Sequence, residues 1–232
     1  MNKTVVIHQP DFLSYLGFFH RLLYADLFIV LDDVQYVKGT SQSWMNRDKI
    51  KTHNGEKWLT VNVKKAPSGT NINEIELNDT LNWKEKNINL LKESYKKSPY
   101  FDEIFPYIEK LYNGTYKYLS ELNMASISML LELFNIKIDM VLSSSINVTK
   151  TRSERLIQLL EYEKATHYLS GIGAKDYHVD DVFEEAQIKV LWQDFCHPEY
   201  SQLHGDFIPY LSSIDLLFNC GIDKSREILR GI

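Results

Sequence analysis

Two apolar runs near the amino end of the chain stop at residues that do chemistry. "TVVIH" ends at His8 and is followed by Gln9-Pro10-Asp11; "LFIVL" ends at Asp32-Asp33, with Gln35 and Lys38 just beyond. A neutral imidazole takes a proton or hydrogen-bonds a phosphate, and the proline holds Gln9 in extended geometry. Adjacent carboxylates at a strand end point to opposite sides, so Asp32 and Asp33 are not a matched acid-base pair. One faces a pocket and the other caps the next segment, or both serve a hard cation carrying a nucleotide phosphate. The bland alternatives are a histidine satisfied by a backbone carbonyl and a solvated acidic turn. Further on, "SWMNRDKIK" gathers Asn46, Arg47, Lys49 and Lys51. Arg47 grips a phosphate or carboxylate through two parallel hydrogen bonds. "YLSGIGAKDY" sets Ser170, Gly171 and Gly173 directly after another apolar run. Glycines there permit a tight turn whose N–H groups form an anion nest, and a simple turn explains them equally well.

Other chemistries lack their signatures. The glycines of "SGIG" have neither the third glycine of a dinucleotide fingerprint nor the lysine of a Walker loop. His197 and His204 have no zinc-ligand spacing with Cys196 or Cys220, and there is no HExxH or GxSxG; no metal site is expected. A net charge of -5 argues against a protein built to coat nucleic acid. The two cysteines read as reduced thiols, and the amino end has no secretory pattern. No run of apolar residues is long enough for a membrane span. A cytoplasmic location is the expectation.

The elements that must hold these residues follow from periodicity. Thr4–His8 reads as a strand, Leu16–Ala25 as a short helix and Leu27–Leu31 as a strand buried on both faces. Strand, helix and strand within about thirty residues make a βαβ unit. Its right-handed crossover puts His8 and Asp32-Asp33 at one sheet edge, where open parallel sheets place ligands. "KWLTVNVK" is a strand preceded by the turn signal "THNGEK". Helices are expected over Asn82–Lys97, Phe101–Tyr112 and Tyr116–Phe134. "IKIDMVLSSS", "THYLSGIGAKDY" and "QIKVLWQDF" return to strands, separated by a helix opening at a Ser153-type cap, and "FIPYLSSIDLLFNCG" closes as a helix stopped by Gly221. The fold class is α/β: one domain over residues 1–232 with a mostly parallel Rossmann-like sheet and a helical insertion or cap at about 82–135.

Several stretches together resemble the WbqC-like proteins: "IHQPDFLSYLGFFHRLLYADLFIVLDDVQYVK", "SWMNRDKI", "WLTVNV", "SERL", "YLSGIGAKDY" and "YSQLHGDFIPYLSSIDLLFNCG". They run in order along nearly the whole chain. "FLSYLG" departs from the family pattern, which has a proline and an aromatic before the glycine. The resemblance carries over His8, Gln9, Pro10, Gly17, Asp32, Asp33, Gln35, Asn46 and Arg47, then Glu154, Arg155, Ser170, Gly171, Gly173, Tyr177, Gln202, Pro209, Asp215 and Asn219. Family members resemble proteins encoded with bacterial surface-polysaccharide genes, including those making O-antigen sugars.

That resemblance implies an enzyme acting on a nucleotide-linked sugar. The expected reaction is acyl or aminoacyl transfer to a nucleotide-linked amino sugar, with a small activated donor as partner. His8 is the expected base and Asp33 orients it or the amine. Ser170 and the Gly171–Gly173 amides serve an oxyanion or phosphate, and Arg47 and Lys38 hold the diphosphate. Gln9, Asp32, Gln35, Asn46, Tyr177, Gln202 and Asp215 complete the substrate contacts. The cofactor is open between an activated acyl donor and ATP. A second likeness, to nucleotidyltransferases with an HxGH signature, extends only to the strand-turn-helix-strand rhythm, because Phe18 follows Gly17. Nucleotidyl or adenylyl transfer with Mg²⁺ at Asp32-Asp33 is therefore one alternative, and non-catalytic sugar-nucleotide binding is another.

Overall fold

The structure, a computed structural model, describes residues 2–37, 43–177 and 180–232, without the side chains of residues 174, 176, 177, 180 and 181. Lys38 lies outside the described residues, as does the side chain of Tyr177. In chain order the elements are β1 (Thr4–His8), α1 (Leu16–Leu22), β2 (Leu27–Val30), β3 (Arg47–Thr52), β4 (Gly55–Thr60), α2 (Trp83–Tyr95), α3 (Phe101–Asn113) and α4 (Leu119–Leu133). They continue with β5 (Asp139–Leu142), α5 (Arg152–Tyr162), β6 (His167–Ser170), α6 (Asp180–Glu185), β7 (Lys189–Trp192) and α7 (Ile214–Arg230).

These elements fall into two compact units. The sequence points to one domain with inserted helices. α2, α3 and α4 do lie in that span, but their unit also takes in the β3–β4 hairpin and α7. The first unit comprises Met1–Gln9, His20–Asp33 and Lys137–Cys196. It is a five-stranded sheet in the order β5-β2-β1-β6-β7, and every pairing is parallel. All four residues of β2 are buried, as expected of a central strand covered on both faces, whereas β5 at the edge is largely exposed. Val5, Ile7, Leu27 and Ile29 pack with Leu159, Leu160, Tyr168 and Phe183 to form its core. The α/β class and the parallel sheet expected from the sequence are both present.

The second unit comprises Pro10–Phe19, Val34–Ile136 and His197–Ile232. Its hairpin turns at Thr52–Gly55, where Gly55 takes φ 87°, a left-handed conformation that costs glycine little. The partner strand β3 escapes the sequence reading, for a physical reason. Asp48 and Lys51, on opposite faces, are charged yet each only 1% exposed, so apolar alternation is broken. Lys51 Nζ donates to the carbonyls of Gly205 and Asp206, which satisfies its charge. Asp215 is fully buried and accepts bonds from Tyr95 (2.7 Å), Tyr200 (2.9 Å) and Gln202 (2.8 Å).

Several helix boundaries differ from expectation: α1 ends at Leu22 rather than Ala25, and α7 begins only at Ile214. Gly221 interrupts α7 with φ 73° and ψ 174°, yet helix resumes and ends only at Gly231. Thr151, not Ser153, occupies the cap position of α5.

Burial raises the Asp48 carboxyl well above its ordinary 3.8, and the nearby Asp11 adds to this, against the hydrogen bond from the Lys49 amide. The folded chain therefore holds this proton more tightly than the unfolded chain. The stability that Asp48 contributes should be fully present below the ordinary carboxylate range and fall as pH rises through the window above it, by at most about 1.4 kcal/mol per pH unit. Asp48→Asn should flatten that slope in urea unfolding from acid to neutral pH. Identical slopes in the two proteins would refute the assignment.

Candidate functional site

In the first unit the chain runs outward from β1 to β2 and β5 on one side and to β6 and β7 on the other. The strand order thus reverses between β1 and β6. A crevice at the carboxyl ends of such strands is where open α/β sheets take ligands. His8 is the last residue of β1 and Ser170 the last of β6, so both stand at this edge. Parallel pairing of His8 with Val30 brings the end of β2 beside them.

His8 is half-buried, and its Nδ1 lies 2.9 Å from the carbonyl oxygen of Gln9. That contact places the ring proton on Nδ1 and leaves Nε2 as the nitrogen with a lone pair. Burial, and secondly the guanidinium of Arg21, push the imidazole down from 6.5 to about 3, against the bond to Gln9. It is neutral throughout the physiological range. Arg21 belongs to the last turn of α1 and is itself buried. A Cβ on Gly171 would lie 2.7 Å from Arg21 Nη1, so the glycine makes room for the guanidinium. Gly173, by contrast, has open space around it and no positive φ, so nothing there requires glycine. The Ser170 side chain is buried, and its hydroxyl donates to the Tyr168 hydroxyl at 3.4 Å.

The acidic doublet lies in the turn just after β2, and its two carboxylates differ in burial. Asp32 is buried and accepts from the Ser144 amide (3.0 Å), the Ser144 hydroxyl (2.6 Å) and the Ser143 hydroxyl (3.3 Å). Asp33 is partly exposed and accepts from the Ser143 hydroxyl and, at 2.5 Å, from Arg155 Nη2. The hydrogen bonds of Asp33 go to Ser143 and Arg155 rather than to the His8 ring. Among the described residues, no three His, Cys, Asp or Glu side chains gather as a metal would need.

The second unit holds the other expected contacts. Gln35 pairs through its backbone with Asn71, and Asn46 donates to the Val61 carbonyl at 3.0 Å. Arg47 Nε donates to the Ser43 carbonyl at 3.3 Å, and its guanidinium carbon stands 4.1 Å from the centre of the Trp58 ring. Asp215 and Gln202 belong to a tyrosine network in which Asp215 has no exposed surface and Gln202 is partly exposed. Residue-level reading misses Arg21, Ser143 and Ser144 altogether, and the resemblance names Arg155 without a role. The one local signal for Arg21 was a basic residue near the end of a short helix.

The family model for the WbqC-like protein family matches residues 9–227. The chain belongs to that family. It is also 33% identical, over 224 residues and 95% of each chain, to the "Uncharacterized protein Rv1507c" of Mycobacterium tuberculosis. No solved structure gives a significant match. No helix among the described residues of this WbqC-like protein is long and apolar enough to cross a membrane.

Chemically, the edge between β1 and β6 offers a lone-pair nitrogen beside a buried positive charge, a setting that favours an anionic ligand. The folded chain releases the His8 proton more readily than the unfolded chain. The stability that His8 contributes is thus fully present above 6.5 and is lost as pH falls toward about 3. Arg21→Gln should raise the His8 midpoint while leaving it below 6.5, because burial persists. Gly171→Ala should act in the same direction by displacing the guanidinium. Ring-nitrogen shifts followed by NMR titration will show this, and an unmoved midpoint in both variants would disprove the coupling.

Proposed function

We propose that this protein is an enzyme of bacterial surface-polysaccharide biosynthesis that transfers an acyl or aminoacyl group to the amine of a nucleotide-linked amino sugar. The observation carrying the proposal is the neutral His8 beside Arg21 at the strand-order reversal. The substrate amine attacks the carbonyl carbon of an activated donor, forming the new C–N bond. The bond from that carbon to the leaving group breaks as the tetrahedral intermediate collapses. The amine proton passes to His8 Nε2 and from there to the leaving group. An imidazole near 3 is a weak base in the empty site. A phosphate bound against Arg21 offsets the guanidinium charge, one of the two causes lowering that value, and so makes His8 more basic once substrate is present. The positive charge also favours the oxyanion of the intermediate.

Nucleotidyl transfer stands second. It calls on Asp32 and Asp33 to hold Mg²⁺, but Asp32 is engaged by Ser143 and Ser144, and Asp33 is paired with Arg155.

Mass spectrometry of nucleotide-linked amino sugars incubated with the protein and a panel of activated acyl donors should reveal an acylated product. His8→Gln should slow its formation by roughly 10²–10⁴-fold while binding of the sugar nucleotide persists. A full-rate His8→Gln variant, or no product with any donor, would overturn the assignment.

A further inference from the structure

Asp33 and Arg155 form a unit that the proposed transfer does not use. Asp33 follows β2, the strand next to β1. The Leu31 amide donates to the His8 carbonyl at 2.8 Å, so the carboxylate sits three residues past the Val30–His8 pairing, on the same edge. Its Oδ1 accepts from Ser143 and Arg155, while Oδ2 has no hydrogen bond among the described residues. The Asp33 side chain is 24% exposed and that of Arg155 19% exposed, so solutes reach the pair without its being a loose surface contact. Oδ2 is therefore the acceptor open to a solute, and the partly exposed guanidinium beside it supplies donors.

We infer that the Asp33–Arg155 pair reads the vicinal hydroxyls of a ribose. The inference rests on the reading that a nucleotide lies at this edge. A hydroxyl both donates and accepts. It donates to the open Oδ2 and accepts from the guanidinium. The guanidinium neutralises the carboxylate, so the pair selects a neutral polar group over a cation or a further phosphate. A carboxylate at the end of the second strand is also where the geometry of a doubly wound sheet brings a ribose, once phosphate occupies the strand-order reversal. Asp33 therefore acts as a specificity residue, distinguishing ribonucleotides from 2′-deoxyribonucleotides.

Calorimetric titration of the full chain with uridine diphosphate and its 2′-deoxy analogue tests this. The adenosine, guanosine and cytidine pairs should be run in parallel, so that base preference does not mask the sugar. For at least one base, the wild-type protein should bind the ribonucleotide about tenfold more tightly or better. Asp33→Asn should bring the ratio close to one. Equal affinities in the wild type would overturn the ribose assignment while leaving the nucleotide reading intact. No binding of any diphosphate would overturn both. The wild-type ratio decides even if Asp33→Asn does not fold; Arg155→Lys, which keeps the charge but loses the forked geometry, then serves as the second variant and should reduce the ratio.

Discussion

A guanidinium buried among strand ends is the constraint on which the proposed site depends. Arg21 is 6% exposed and sits where any side chain at Gly171 would collide with it. Burying a charge is costly unless the surroundings meet it. The glycine after β6 provides the room, and the cation helps to hold the His8 ring neutral. The identities of three residues widely separated in the chain are thereby linked. Burial keeps the His8 ring neutral, Arg21 adds to it, and the absence of a side chain at residue 171 leaves Arg21 its room.

A second set of polar contacts fixes the neighbouring edge. Asp32 and Asp33 draw the Ser143–Ser144 turn after β5 and the Arg155 side chain of α5 against the end of β2. Buried polar networks define one geometry when their members are satisfied. Among the described residues, Oδ2 of Asp33 and Nε of Arg155 are the members of this set without a hydrogen bond. The sheet edge thus presents a rigid floor of satisfied groups with a few open valences, as small-ligand sites require.

The sequence made the frame of this unit legible. β1, α1 and β2 are bounded by acidic residues and a turn, and their apolar runs match buried central strands. The site was legible only in part. His8 and the acidic doublet announced themselves by standing at strand ends. Their partners did not: Arg155 is 122 positions from Asp33, and no local pattern links the two. Gly171 was read for its turn and its amide, and no local pattern shows that it also leaves room for Arg21. In the second unit, buried Asp48 and Lys51 concealed β3 because periodicity arguments assume that charged residues face water. Asp215 and Gln202, named by family likeness, are joined to Tyr95 and Tyr200 in one hydrogen-bond network that no local pattern announces.

The central claim is that a phosphate-bearing ligand lies at the carboxyl edge between β1 and β6. Amide and side-chain shift mapping by NMR, with a nucleotide-linked amino sugar added to saturation, tests it most directly. The account predicts that the largest shifts fall on the His8 ring, the Arg21 guanidinium and the Gly171 amide. Shifts confined to the β3–β4 hairpin and α7, with those three groups unmoved, would contradict it.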